Sequence, residues 1–395
     1  MKDIFDAFIA ELQSRNKRHV ADQKIRFFWD LQDKRLESLG LKMKLNITDR
    51  GLLQNAVSMG YENEVFENML AFKTCQCDLS FLKNEKRVYH KTSKETLYEL
   101  MSDIKGGHID PNMAYNCPNC GNVLKISELT DGCPYCGTRW ILSDLFPVTT
   151  YYYFIKDISG TKKELKNEMA PYMMLIGLLM FLVGLLLKRS ILHSIVIGIF
   201  GGLILGYFFW AISKLFTVFS EAGKSMGALI DSTGSKKKLL KKIKAYDPKF
   251  SYEYFTSEVV SLIKIISFAD DLNDLAVYDG KETDLFKDVV DVDFAGAIGF
   301  QKMKTDDDHI YLDVSVYLDV LRYNGKKISS SYEKYNMTLK RDIHAVTDTA
   351  FSITRVECKN CGASFDATRV KKCPYCDSEY DYAKDSWVVT QIRRA

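Results

Sequence analysis

The sequence predicts a multidomain chain in which helical and α+β parts are separated by a pair of long apolar helices. Three observations carry that prediction. Eight of the ten cysteines fall into two compact quartets, Cys117 to Cys136 and Cys358 to Cys376. Two almost unbroken apolar runs lie between the quartets, from Ala170 to Leu187 and from Ile191 to about Leu215. Beyond about residue 290 the apolar spacing changes from the helical period to strict alternation. Hydrophobic and charged fractions of 47% and 27% exclude wholesale disorder. A net charge of +3 over 395 residues does not mark a dedicated nucleic-acid binder.

Residues 1–112 read as a helical N-terminal domain. The start, Met1-Lys2-Asp3-Ile4-Phe5-Asp6, has no cationic stretch followed by an apolar core, so no secretory signal is expected. Ile4, Phe5, Phe8, Ile9 and Leu12 have helical spacing, as do Ile25, Phe28, Trp29 and Leu36. Thr48 before Asp49-Arg50-Gly51-Leu52-Leu53, and Thr92-Ser93-Lys94-Glu95 before Leu97, Leu100 and Met101, read as helix starts.

The first quartet, in residues 113–145, is Cys117-x-x-Cys120 followed by Cys133-x-x-Cys136. The second, in residues 356–380, is Cys358-x-x-Cys361 followed by Cys373-x-x-Cys376. Two thiolates three positions apart on a tight turn can bind one face of a tetrahedral ion, and a second such turn closes the shell. Gly121, Gly137 and Gly362, each directly after a cysteine, supply the backbone freedom such turns need. Soft thiolate ligands select zinc over magnesium or calcium, and four of them leave no open position for water. Two structural zinc ions are therefore expected, with an iron–sulfur or redox centre as the rival reading. Chelation also argues for a reducing compartment. Cys75 and Cys77, separated by one residue, are too close for a chelate and read as thiols outside both sites.

Many zinc ribbons contact nucleic acid, but the loops here are mixed in sign. Lys125, Glu128, Asp131 and Arg139 accompany the first quartet, and Asp366, Arg369, Lys371, Lys372, Asp377 and Glu379 the second. Neither loop has the one-sided basic face that phosphate contacts need. Between the first quartet and the apolar runs, Pro147 to Ile158 is rich in tyrosine and β-branched residues and reads as a strand.

The apolar runs, taken together as residues 170–215, each reach the 18 to 20 residues or so that cross a hydrocarbon core, and so predict a transmembrane hairpin. A buried hairpin in a soluble fold is the alternative. Gly198, Gly202 and Gly206 form a small-residue stripe whose most economical partner is the first helix, through Gly177 and Gly184. Lys156, Lys162, Lys163 and Lys166 precede the hairpin and Lys214, Lys224 and a lysine cluster follow it, whereas the connecting loop holds only Lys188 and Arg189. The positive-inside rule then puts both termini in the cytoplasm of a two-helix cell-membrane protein. Residues 216–245 read as a basic linker. In it Lys236, Lys237, Lys238, Lys241 and Lys242 surround an apolar face of Leu239, Leu240, Ile243 and Tyr246, a pattern suited to anionic lipid or to plain solvation.

Residues 246–395 read as an α+β domain. Ser251 caps a helix with Phe255, Val259, Leu262, Ile263 and Ile266 on one face, and a second short helix is expected over Asp271 to Tyr278. Val290-Val292-Phe294, the run Ile310 to Val320, Tyr332 to Leu339 and Ser386 to Ile392 read as strands, with Asn324-Gly325 as a hairpin turn. Along the second of these, Tyr311, Asp313, Ser315, Tyr317 and Asp319 oppose the apolar face. Tyr311, Asp313, Tyr317 and Asp319 are the candidate ligand-binding residues, since this face is too polar for core and too aromatic for plain solvent.

The opening Asp247-Pro248-x-Phe250-Ser251-x-x-x-Phe255, the turn Asp271-x-x-x-Leu275 and the closing Trp387-Val388-Val389-x-x-Ile392 resemble the Tim-forty-four-like family. The resemblance covers roughly the last 150 residues. It implies the cone-shaped fold of nuclear transport factor two, and its bacterial members often carry a ribbon in the final hairpin, where Cys358 to Cys376 stand here. It also implies a membrane-associated binding or tethering domain. The chain departs from the mitochondrial relative in having its own apolar hairpin and two ribbons, so the import-motor role does not transfer. The expected function is a cytoplasm-facing scaffold for a protein partner, with a role in protein transport or membrane-protein handling. An enzyme is the rival class because the cone fold hosts isomerases, but no histidine stands beside Asp313 or Asp319, and no nucleophile elbow or phosphate loop occurs. A zinc- or oxidant-responsive sensor is the third reading.

Overall fold

The computed structural model describes residues 2–15, 20–49, 54–56, 66–104, 110, 112–117, 120–131, 133–136, 140–142, 148–156, 162–248, 250–282, 284–345, 353–355, 358, 360–363, 370–384 and 386–395. The expected helix start over Arg50 to Leu53 lies outside these residues, as do Gly137, Arg139, Asp366 and Arg369.

Helices α1 (Lys2–Ser14) and α2 (Gln23–Ser38) form where the apolar spacing places them. Phe5, Phe8 and Leu12 on the first, and Ile25, Phe28, Trp29 and Leu36 on the second, are buried. Asp22 caps α2 by accepting from the Ile25 N–H at 2.7 Å. Beyond Ser38 the helical expectation for residues 1–112 is overturned. Strand β1 (Leu41–Asp49) contains Thr48, and the long hairpin β3 (Phe66–Lys83) and β4 (Lys86–Ile104) contains Thr92 to Glu95. With β2 (Gln54–Ala56) paired to β3, and β8 (Val148–Lys156) beside β4, these strands form a sheet of order β1-β3-β4-β8.

Burial shows why. Ala71, Lys73, Cys75 and Cys77 on β3, and Glu95, Leu97, Glu99 and Met101 on β4, are buried at period two. Three of those inward positions are charged, which hides the alternation from a hydrophobicity reading. The structure compensates each of them. Lys73 pairs with Asp6 at 3.9 Å, Glu95 accepts from Lys91 at 2.9 Å and from Ser93 at 2.6 Å, and Glu99 accepts from the Thr149 hydroxyl.

Around the first quartet run β5 (Ala114–Asn116), β6 (Val123–Lys125) and β7 (Trp140–Leu142). Then come α3 (Lys162–Leu186) and α4 (Ile191–Ile243). Their apolar spans, Met169–Leu186 and Ile191–Ser213, are long enough to cross a membrane, with only 6% and 17% of their residues buried. A core helix of a soluble protein would be mostly buried, whereas these spans are mostly exposed. The glycine stripe packs as expected. A Cβ built on Gly202 would lie 2.7 Å from the Met173 carbonyl oxygen and 2.8 Å from the Gly177 Cα, and one on Gly198 would lie 3.0 Å from the Gly177 carbonyl oxygen. The expected linker 216–245 is instead the continuation of α4 as far as Ile243.

Helix α5 (Tyr252–Phe268) is capped by Ser251, whose side chain accepts from the Tyr254 N–H. It packs against β9 (Val289–Thr305) in an antiparallel sheet of order β13-β11-β10-β9. The other strands are β10 (His309–Tyr323), β11 (Ile328–Asp342) and β13 (Val388–Arg394). Ile310, Leu312, Val314, Val316, Leu318 and Val320 all face the core. At the β10–β11 turn, Gly325 adopts a φ of 88° while the Asn324 side chain accepts from the N–H groups of Lys326 and Lys327. The helix expected over Asp271 to Tyr278 is replaced by turns. The Asp271 side chain accepts from the Asn273 N–H, and Tyr278 bridges to Val389.

Residues Met1–Ile155 and Asp231–Ala395 form one compact unit, and Lys156–Ile230 a second. Within the first unit the chain before the hairpin and the chain after it share a core. Helix α2 packs on α5, and the buried Arg35 guanidinium donates to the carbonyls of Ser267, Ala269, Phe286 and Val289 and to Asp270. Leu239 and Ile243 are buried in the same core, which also takes in Phe255 and Trp387. Asp247 of the opening motif is fully buried against Arg341 at 3.0 Å, and Arg341 lies over the Trp387 ring.

Candidate metal centres

Each quartet is brought together by backbone turns that aim neighbouring N–H groups and sulfurs at one point. After the first cysteine of each ribbon, the glycine N–H returns to the cysteine carbonyl at 2.8 Å, Gly121 to Cys117 and Gly362 to Cys358. Both glycines have a φ of 72°, a conformation a Cβ would disfavour. In the second ribbon Asp377 takes that role after Cys373, with a φ of 58°.

The four sulfurs of Cys117, Cys120, Cys133 and Cys136 lie within 4.8 Å of one another, and so do those of Cys358, Cys361, Cys373 and Cys376. Cys117 and Cys136 are 3.7 Å apart, as are Cys120 and Cys133. In the second cage Cys358 and Cys376 are 3.5 Å apart, and Cys361 and Cys373 3.7 Å. A tetrahedral ion with bonds of about 2.3 Å to sulfur sets edges of about 3.8 Å, whereas a disulfide needs about 2.05 Å. Both cages therefore fit a tetrahedral metal ion, and none of these cysteines is in a disulfide.

The surroundings of the two cages differ. Around the first, Leu124 and Tyr115 from the β5–β6 ladder pack on Cys117 and Cys133. Around the second, the Ser378 hydroxyl stands 2.9 Å from Cys358 Sγ and 3.1 Å from Cys376 Sγ. That hydroxyl, with backbone N–H groups, holds the Cys358 thiol at about 6 and Cys376 below the ordinary thiol value. Neighbouring sulfurs push Cys361 up to about 12 against the backbone hydrogen bond from Ala363, and push Cys120 up to about 11 against that from Asn122. Sequence reasoning missed Ser378, and only its place two positions after a ligand could have drawn attention to it.

The second ribbon is also tied to the fold. The Lys371 N–H donates to the Asp274 carbonyl at 3.0 Å, and Lys371 Nζ reaches Asp279 at 2.8 Å. Asp279 also meets Lys340 from β11 at 3.1 Å. Although burial opposes ionisation, the two lysines hold the Asp279 carboxyl below its usual value. A short antiparallel ladder joins β12 (Ile353–Arg355), just before the second quartet, to β7, just after the first. Residue spacing alone does not announce that pairing.

The other candidate residues are dispersed. Tyr311 and Asp313 line an open groove of about 720 Å³ on the polar face of the four-stranded sheet. Tyr317 and Asp319 lie outside it. Tyr317 is buried against Tyr332, with Lys334 over its ring, and Asp319 is exposed. Lys237, Lys238, Lys241 and Lys242 are exposed on α4, while the side chain of Lys236 lies outside the described residues. On the same helix Leu239 and Ile243 are taken into the protein core. Cys75 and Cys77 are buried in β3, where their mutual hydrogen bond and burial push the Cys77 thiol up. Comparison with known protein families, with curated proteins and with solved structures finds no significant match to this chain.

Proposed function

We propose that the chain is a membrane-anchored scaffold whose folded unit stands on the cytoplasmic side and is stiffened by two structural zinc ions. One observation carries the reading. The segments before and after the apolar hairpin belong to a single compact unit, with α2 against α5 and β7 paired to β12. Two segments that share a core cannot be separated by a bilayer, so a chain that crosses twice keeps both flanks on one side. The lysines outside the connecting loop and the reduced thiolates both favour the cytoplasm as that side.

Zinc is the ion best suited to four thiolates in a closed tetrahedron, where it supplies cross-linking in place of a larger apolar core. Cys117, Cys120, Cys133 and Cys136 would hold one ion, and Cys358, Cys361, Cys373 and Cys376 the other. A saturated shell suits binding rather than catalysis. The resemblance to the Tim-forty-four-like family adds the tethering role, with the sheet as the surface that meets a protein partner. The test is zinc analysis of the purified chain combined with protease protection of tags at its two ends in sealed vesicles of known orientation. Two zinc ions per chain and tags cleaved from the same, cytoplasmic side support the reading. A zinc-free chain, or ends reached from opposite sides, ends it.

A further inference from the structure

The groove on the polar face of the four-stranded sheet is lined by Lys304, Lys334 and Arg393 against one carboxylate, Asp313. That carboxylate is already engaged, accepting from the Thr338 hydroxyl at 2.8 Å and facing Lys304 at 4.0 Å. Between the cations the floor is a polar ladder. Gln301 donates to the Ser315 hydroxyl at 2.9 Å, which donates to the Asn336 carboxamide oxygen at 2.7 Å. In register with Asn336 stands Arg393, and with Thr338 stands Gln391. Among the described residues neither the Arg393 nor the Gln391 side chain makes a hydrogen bond or ion pair, and both are exposed. The lining cations therefore outnumber the lining carboxylates three to one, and the Gln391 amide is unused.

We propose that this groove binds an extended acidic peptide segment of a partner protein. Lys304 lies on β9 and Arg393 on β13, the two edges of the sheet. Three inter-strand steps, about 14 Å, separate them across the sheet, and the register offsets them by four residues along it, so that they stand about 19 Å apart. One phosphate or carboxylate cannot touch both ends. An extended segment advances about 3.3 Å per residue, so carboxylates about six residues apart reach both. The intervening backbone lies over Gln301, Asn336 and Gln391, whose amides suit peptide N–H and C=O groups, while the fully buried Ser315 hydroxyl links the first two from beneath. The Tyr311 ring walls one side.

The proposal names the partner chemistry of the scaffold reading and rests on it for its biological meaning. Its test needs no membrane topology, so failure here leaves that reading standing and failure there leaves this site standing. A fluorescein-labelled octapeptide with two glutamates at each end and serine and glycine between is titrated into the full zinc-loaded chain in detergent, and anisotropy is read. A peptide with lysine for glutamate is the control. The acidic peptide should bind at least tenfold more tightly than the control. The paired charge reversal Lys304→Glu and Arg393→Glu should weaken it at least tenfold, and raising salt from 50 to 300 mM should weaken it severalfold. Gln391→Arg, which adds a cation at an exposed position, should tighten it about threefold and keeps the test informative if the double variant unfolds. Equal binding of acidic and basic peptides, or no response to either variant, overturns the proposal. So does competition by phosphatidylglycerol vesicles at concentrations where phosphatidylcholine has no effect, which assigns the groove to an anionic lipid surface instead.

Discussion

The two ribbons use the same four-cysteine spacing, yet the fold treats them differently. The first is packed locally, with Leu124 and Tyr115 on its cage. The second is bonded to the sheet through Lys371, Asp274 and Asp279, and Tyr380 beside its cage also packs on the main core. It alone has a described side-chain hydroxyl, that of Ser378, against two of its sulfurs. The same motif thus meets different surroundings in its two places.

The largest test of this difference removes a ligand from each cage. Cys133→Ser and Cys373→Ser should each lower zinc content from two ions per chain to one, by emission spectroscopy. Thermal unfolding followed by circular dichroism should fall further for Cys373→Ser, because the second ribbon transmits its loss to the sheet. Equal falls break the comparison. Ser378→Ala comes next. Outer-sphere partners are worth roughly tenfold or more in metal affinity. A chromogenic chelator should therefore strip the second ribbon about tenfold faster while the first ribbon's rate stays constant.

A third test sets the pH baseline both ribbons share. Burial raises the Asp293 carboxyl to about 8, opposed by Lys264 and reinforced by Glu95. A carboxyl raised in the folded state stabilises while protonated. That contribution is present below the ordinary carboxylate value of about 4 and is lost as pH rises towards 8. Melting temperatures of the parent should carry that decline between pH 4 and 8, and Asp293→Asn should flatten it. An unchanged profile in the variant assigns the decline elsewhere. The smallest effect is expected for Asp279→Asn. Its carboxylate is 38% exposed, so its two lysine pairs are worth about 1 kcal/mol or less. The melting temperature should shift by a few degrees at most, with the second ribbon's chelator rate rising slightly.

The parts legible in the sequence were those set by local rules. Cysteine spacing gave both cages, hydropathy gave the two apolar helices, and alternation from Ile310 to Val320 gave β10 with its faces correct. The Asn324-Gly325 turn and the Ser251 cap were legible for the same reason. What failed depended on distant residues. The β3–β4 hairpin hides its alternation behind Lys73, Glu95 and Glu99, whose burial makes sense only once Asp6, Lys91 and Thr149 are beside them. Leu97, Leu100 and Met101 mimic helical spacing, but Leu97, Glu99 and Met101 face inward together. Glycine and serine between Ser220 and Ser235 suggested a linker, yet α4 runs through them. The Ser378 contacts depend on the turn in which the Cys373 N–H donates to the Ser378 carbonyl at 2.9 Å.

The shared core has a consequence for biosynthesis. Phe28 and Trp29 leave the ribosome more than 200 residues before Val259 and Ile263, their companions in the same cluster. Until then the early strands and helices expose apolar surface, and pairings of such long sequence separation form slowly. Shortening that interval, by circularly permuting the gene so that α5 is made early, should raise the yield of folded protein.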